Sequence, residues 1–458
     1  MKTIRQTTKY VFVVAILWAT TSLSPLFAQH ANLESGPMVG YIEMQEALIW
    51  LQTKSPADVV IEYWKEGDES TKYRSNTVKT SLDGYLVAKV KLENLNPATT
   101  YRYTVIIDGS AASFDYSTVV TTQALWQWRI DPPDFTFALG SCFYINDEPY
   151  DRPGNPYGGE YQIVERIADK KPDFMIWMGD NMYLREADFY SVARINHRYN
   201  HTRRVPELQR LLATTAHYST WDDHDFGPNN ADRNYSMKED VLNIFNTYWG
   251  NPKAGHDGNK GVYYRFQWAD VDFFVTDGRY HRAPNALKDP NKDYLGREQL
   301  DWLKDGLANS RAPFKIIIFG NQAINTGSPF EAFPAYVAEY QELMGFIEQQ
   351  GVPGVVFMSG DRHHSELLRY ESISQYPLYE FTVSPLTAGF SRQLVPEERN
   401  NPLRVDGRLT HQRNFGLVKV TGKGDDRTLT LENYDVNGAL LWNYTIKKSD
   451  LELRRRRE

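Results

Sequence analysis

Cysteine is almost absent from this chain of 458 residues, which has Cys142 alone. A single thiol excludes an intramolecular disulfide framework, so the fold must rest on its hydrophobic core. Cys142 is then either a buried, inert side chain or a thiolate kept for chemistry. Positive charge is scarce as well. The formal net charge is −7, and loss of Lys2, Arg5 and Lys9 with an N-terminal leader takes it to about −10. Such an acidic surface argues against non-specific nucleic-acid binding, and it requires an anionic substrate to meet positive charge locally, for instance on metal ions. The basic run at 454–457 reads as a solvated tail. Beyond the first residues there is no long apolar run, so no transmembrane segment is expected in the mature protein. Internal repeats and low-complexity tracts are missing too. So is a Gly-x-Ser-x-Gly nucleophile elbow, which sets a serine hydrolase aside.

What is present begins with an export signal. Lys2, Arg5 and Lys9 precede a short apolar run at 10–19, and a Pro-containing stretch then ends in Pro25-Leu26-Phe27-Ala28. That layout predicts a secretory signal peptide over 1–28, cleaved after Ala28, because the run is too short to span a bilayer. No lipobox cysteine follows it. Periplasm or external medium is the expected destination.

Residues 36–120 read as a small β domain. Residues 85–92 and 100–105 alternate apolar and polar, with turn chemistry at Asp83-Gly84, Asn96-Pro97 and Asp108-Gly109. The stretch Leu95-Asn-Pro97-Ala-Thr99-Thr-Tyr101 resembles the corner of fibronectin-type-III-like sandwiches. A linker over 121–133 leads into a second texture at 134–450. There, short apolar strands at 135–139, 174–178, 315–319 and 355–358 alternate with helical patterns at 159–169, 238–249, 297–309 and 336–350. A hairpin at 261–275 and antiparallel strands at 416–420, 428–434 and 439–446 complete the region. This pattern predicts a layered α/β sandwich preceded by a small all-β sandwich.

Apolar strands ending in a small residue and then a polar or metal-capable side chain carry the functional signal. Gly140-Ser141-Cys142, Gly179-Asp180 and Ser359-Gly360-Asp361-Arg362-His363 all follow this pattern, and in α/β sheets ligands bind beyond the carboxyl ends of strands. One Gly-Asp is an ordinary turn, and Asp180 with Tyr183 could equally be a helix cap and a core tyrosine. Several strand ends together are harder to dismiss. The run Asp222-Asp223-His224-Asp225 packs like charges at another strand end, which costs repulsion unless cations offset it.

The set Gly-Ser-Cys142, Gly-Asp180-x-x-Tyr183, Trp-Asp-Asp223-His224-Asp, Asp277-x-Arg279, Gly-Asn321-Gln322 and Ser-Gly-Asp361-x-His363 resembles the PhoD-type alkaline phosphatase and phosphodiesterase family, a branch of the binuclear metallophosphoesterases. The resemblance runs from about residue 135 to the end, and the family also carries a small β domain in front. It implies a metallophosphoesterase-type sandwich and an exported phosphoester hydrolase in which metal-bound hydroxide attacks phosphorus. It implies Asp180 as the bridging carboxylate, with Cys142, Tyr183 and His363 completing one metal site and Asp223, Gln322 (or, less favoured, Asn321) and Asp361 the other. His224 becomes the leaving-group or transition-state residue. Arg279 or Arg362 would hold a non-bridging oxygen unless either is a structural ion-pair partner. Thiolate, phenolate, carboxylate and imidazole together suit Fe³⁺, and the oxygen-only set suits Ca²⁺ or Mg²⁺ better than zinc; the resemblance implies iron with calcium. Metal ligation would also explain an unpaired thiol in an exported chain. The substrate would be a small-molecule or polymeric phosphoester, with the oligomeric state left open. The competing expectation is a non-catalytic exported binding or adhesion protein on the same fold.

Overall fold

Alternation of side chains decides the layers. Along the strands Phe135–Gly140 and Phe174–Met178, successive residues point to opposite faces. Phe137, Leu139, Phe174, Ile176 and Met178 enter one apolar core, while Ala138, Met175 and Trp177 enter another. Strands buried on both faces need cover on each side. In the computed structural model, which describes residues 30–371 and 376–453, one cover is a second sheet and the other a layer of helices. The expected signal peptide at 1–28 and the basic run at 454–457 lie outside the described residues.

The first sheet has nine strands, in the order Leu440–Lys447, Thr428–Asp435, Asn414–Thr421, Phe135–Gly140, Phe174–Met178, Ala216–Thr220, Leu33–Ile42, Ala47–Thr53 and Val87–Leu92. The second has seven: Tyr264–Trp268, Val271–Val275, Lys315–Ile318, Val355–Ser359, Leu378–Thr382, Ser365–Tyr370 and Arg404–Thr410. Phe137 and Phe174 meet Phe273 across the gap, with ring centroids 5.3 and 5.4 Å apart. Helices Ile163–Asp169, Val192–Arg203, Pro206–Thr214 and Lys238–Tyr248 cover the outer face of the first sheet through Ile163, Ile195, Leu211 and Phe245. Helices Arg297–Asn309 and Val337–Gln349 contribute Leu300, Leu303, Leu343 and Ile347 to the core that includes the second. The chain is thus a mixed α/β fold with several sheets. Among the described residues, no helix is long and apolar enough to cross a membrane.

The N-terminal region is all β, with one difference from expectation. Strands Asp58–Lys65 and Thr100–Ile107 belong to a six-stranded sheet of their own, and Tyr101 forms a corner there by accepting a hydrogen bond from the Asn96 N–H at 2.9 Å. Leu33–Ile42, Ala47–Thr53 and Val87–Leu92 instead extend the central sheet, because Val39 pairs in parallel with Ala216. Part of the expected separate sandwich is therefore hydrogen-bonded into the central sheet rather than tethered in front of it. Pattern within a segment cannot reveal a partner strand more than 170 residues away.

At the carboxyl ends of the central strands the backbones converge. A Cβ on Gly179, whose φ is +86°, would stand 2.6 Å from Asp222 Cβ, and one on Gly320 would stand 2.7 Å from Asp222 Oδ1. Glycine before each polar residue is the steric condition for bringing these strand ends together.

Candidate metal centre

Four of the proposed ligands sit just past strand ends in the left-handed region of backbone space. The φ values are +56° at Cys142, +52° at Asp180, +70° at Asp361 and +55° at His363. For a non-glycine residue such a conformation costs on the order of 1 kcal/mol, and it persists where the surroundings enforce it. Here it turns four side chains toward one cleft.

Two donor groups share a residue. Cys142, Asp180 and His363 present ligand atoms within 4.8 Å of one another, and so do Asp180, Asp223 and His224. Asp180 belongs to both. Cys142 Sγ lies 3.6 Å from Asp180 Oδ2 and accepts from the Ser384 hydroxyl at 3.1 Å. The Tyr183 hydroxyl is 3.4 Å from His363 Nε2, while His363 Nδ1 is bonded to the Gly389 carbonyl. That bond makes Nδ1 the protonated nitrogen and leaves the Nε2 lone pair facing Tyr183. Asp223 also joins a third group with Asp222 and Glu331. A cavity of about 530 Å³ opens beside it, lined among others by Asp223, Asn229, Asn230, Glu331, Asp361 and Arg362.

The electrostatics are those of a site short of positive charge. Burial pushes the Cys142 thiol up to about 12, and the Asp361 carboxylate adds to it. Burial, then Asp223, Cys142, Asp222 and Asp225, lift Asp180 well above the usual carboxylate range. Asp222 is also raised, by burial against the pull of Arg279, and its Oδ2 is buried without a partner. Burial raises Asp361 and Tyr183 too. Burial also holds His224 down at about 4, against the opposing pull of Asp223. Thiol, phenol, carboxylates and imidazole held this close, with an orphaned carboxylate oxygen, fit bound cations, because cations would remove the desolvation and repulsion that now oppose ionisation.

One expectation needs correction, that for Arg279. Gln322 donates from Nε2 to Glu366 Oε1 at 2.8 Å and Thr382 Oγ1 at 3.1 Å, and its Oε1 accepts one hydrogen bond, from Asn325 Nδ2 at 2.8 Å, which leaves one lone pair. Asn321 beside it is bonded to the Tyr294 hydroxyl and keeps a buried Nδ2 without a partner. Arg279 does not face a substrate. It is fully buried, with Nε on Asp222 at 2.6 Å, Nη1 on the Ala231 carbonyl at 3.2 Å and Nη2 on Glu331, so it is an ion-pair partner that holds the acidic strand end. Arg362 does line the cavity, between Asp361 at 3.4 Å and Glu398, with its guanidinium 4.1 Å from the Phe330 ring centroid. Sequence reasoning missed Glu331, Asn229, Asn230 and Glu398. Loops carry the first three and the four-residue helix Pro396–Arg399 carries Glu398, so only charge complementarity to Arg279, Arg282 and Arg362 could have flagged the two glutamates.

Comparison with known proteins identifies the family and the fold. The model of the PhoD-like phosphatase family matches residues 137–430, and that of a domain of unknown function (DUF7800) matches residues 30–124. Alkaline phosphatase D of Bacillus subtilis (strain 168) is 24% identical over 324 residues, covering 60% of this chain and 53% of the relative, so the chain spans about half the relative's length. Among solved structures, that of PhoD superposes with a TM-score of 0.75 at 16% identity, over 93% of this chain and 92% of the other. A purple acid phosphatase from yellow lupin (Lupinus luteus) gives 0.65 at 12% identity, over 91% and 75%. These two likenesses concern the fold. The family model covers most of the chain, and the chain belongs to the PhoD-like phosphatase family.

Proposed function

We propose that this chain is an exported, metal-dependent phosphoester hydrolase acting on monoesters, diesters or both, with residues 134–450 as the catalytic part and the β region 36–120 as its structural buttress. The sharing of Asp180 between the Cys142–His363 and Asp223–His224 groups carries the reading. Cys142, Asp180, Tyr183 and His363 would hold iron, and Asp180, Asp223 and Asp361 a harder cation such as calcium or magnesium. When bound, the metals supply Lewis acidity to the phosphoryl group and acidify a water molecule. The chain's own residues position and neutralise. Arg279 pairs with Asp222 and Glu331, while the backbone N–H groups of His224 and Asn230 hold the Asp223 carboxylate at 3.0 and 2.6 Å. Tyr183 stacks on the His224 ring at 4.3 Å and fixes its direction. His224 then offers its imidazole to a phosphoryl or leaving-group oxygen.

Elemental analysis of the purified protein, beside its activity on matched monoester and diester substrates, tests the reading. With iron bound, a phenolate donor gives a charge-transfer band in the visible, so the preparation is expected to be tinted and Tyr183→Phe to bleach it. An active, colourless enzyme holding zinc alone would overturn the assignment of the first donor set. Export is checked on protein secreted by a host: its N-terminal sequence is expected to begin at Gln29, and retention of residues 1–28 would refute the signal reading.

A further inference from the structure

A buried cation without a counter-charge sits beside Tyr183. Arg185 is only 6% exposed, and its guanidinium lies 4.6 Å from the ring centroid of Tyr144, 5.4 Å from that of Tyr183 and 5.5 Å from that of Tyr157. Its Nε donates to the Tyr144 hydroxyl at 3.1 Å. Among the described residues no Asp or Glu pairs with it, in contrast to Arg279, Arg282 and Arg362, each of which grips a carboxylate. Both Nη amines donate to no protein group, and neither is among the buried polar atoms cut off from solvent. Burying an arginine unpaired is costly, and three aromatic faces offset only part of that cost. An anion arriving at the Nη amines would offset the rest. The position suits one, since Tyr183 reaches His363 with its hydroxyl and His224 with its ring.

We infer that Arg185 is a substrate-binding residue whose Nη amines take a non-bridging oxygen of the substrate's phosphoryl group, a role that the fully engaged Arg279 cannot fill. The inference rests on the phosphoester reading above and adds a charge preference to it. A phosphomonoester dianion gains more from an unneutralised cation than a diester monoanion does, so Arg185 favours monoesters.

The test compares metal-loaded wild type, Arg185→Gln and Arg185→Lys. It reads metal content, the inhibition constant of inorganic phosphate, and KM and kcat on an aryl monoester and an aryl diester. Loss of a charge-assisted pair is expected to raise the phosphate inhibition constant and the monoester KM about 10- to 100-fold in Arg185→Gln, with metals retained. The diester KM should rise less, and Arg185→Lys, which keeps charge but not the fork, should fall between. An unchanged phosphate constant, or an equal rise for both esters, would overturn the inference. So would failure of both variants to fold, which assigns Arg185 to the structure. A wild-type protein without metal and inactive on both esters removes the parent reading instead. An active wild type beside an unaltered Arg185→Gln removes only this one.

Discussion

Asp180→Ala is expected to empty both metal positions and to abolish hydrolysis. The loss should exceed the roughly 10²–10³-fold cost of removing a single electrostatic stabiliser, because one carboxylate serves two donor groups. Its second oxygen also accepts the His224 backbone N–H at 3.2 Å, so the neighbouring group loses its anchor as well. Stability should move the other way. Burial lifts the pKa of Asp180, so the folded, metal-free protein holds a proton the unfolded chain has released. That difference is absent below the ordinary carboxylate pKa. It grows as pH rises toward the elevated folded value, so metal-free wild type loses stability on the way to neutral and alkaline pH. Asp180→Asn removes the titrating group. In the presence of chelator at pH 8 it should melt above wild type, while remaining inactive with metal added back. Metal content, rate and thermal melting of the three proteins check this together. Full metal retention in Asp180→Ala would place the bridge elsewhere.

His224→Ala separates catalysis from metal binding. A positioned general acid contributes about 10²–10⁴-fold, and a loss on that order is expected on an ester with a poor leaving group, with metals kept. In the empty cleft His224 is neutral at pH 7, since burial holds it near 4, with the charges of Arg185, His363 and Arg279 acting the same way against Asp223. A phosphoryl dianion beside the ring would act in the opposite sense and raise its proton affinity. The deficit should therefore shrink on a nitrophenyl ester, whose leaving group departs unprotonated. An equal deficit on both esters would mean that His224 binds a phosphoryl oxygen instead. Loss of metal as complete as in Asp180→Ala would make it a ligand, consistent with its place in the second donor group.

Local pattern carried much of the architecture. The strands at 174–178 and 355–359 could be read as short continuous apolar runs, and the helices at 238–248 and 297–309 from apolar periodicity, because each signal is written in the segment itself. Strands Leu33–Ile42 and Ala47–Thr53 and helices Val192–Arg203 and Pro206–Thr214 were not identified that way. Leu33–Ile42 is interrupted by Ser35, Gly36, Pro37 and Gly40, and Val192–Arg203 is studded with charge that pairs only in three dimensions, as when Arg198 meets Asp188 at 3.0 Å. Those two elements have no period to read until their neighbours are in place.

Composition and spacing determined that one unpaired cysteine, a tyrosine and clustered carboxylates stand at strand ends, because the Gly-polar sequence after each apolar run is a local fact. The resemblance to the PhoD-type family added Tyr183 and His224 to Asp180 and His363. Whether an arginine or glutamine beside them serves the substrate or the fold is not local, since a guanidinium or amide looks alike in sequence whether spent or free. The tertiary structure supplies the partners that bear on it. Arg279 is satisfied by Asp222 and Glu331, Gln322 Nε2 by Glu366 and Thr382, and Arg185 by no carboxylate among the described residues.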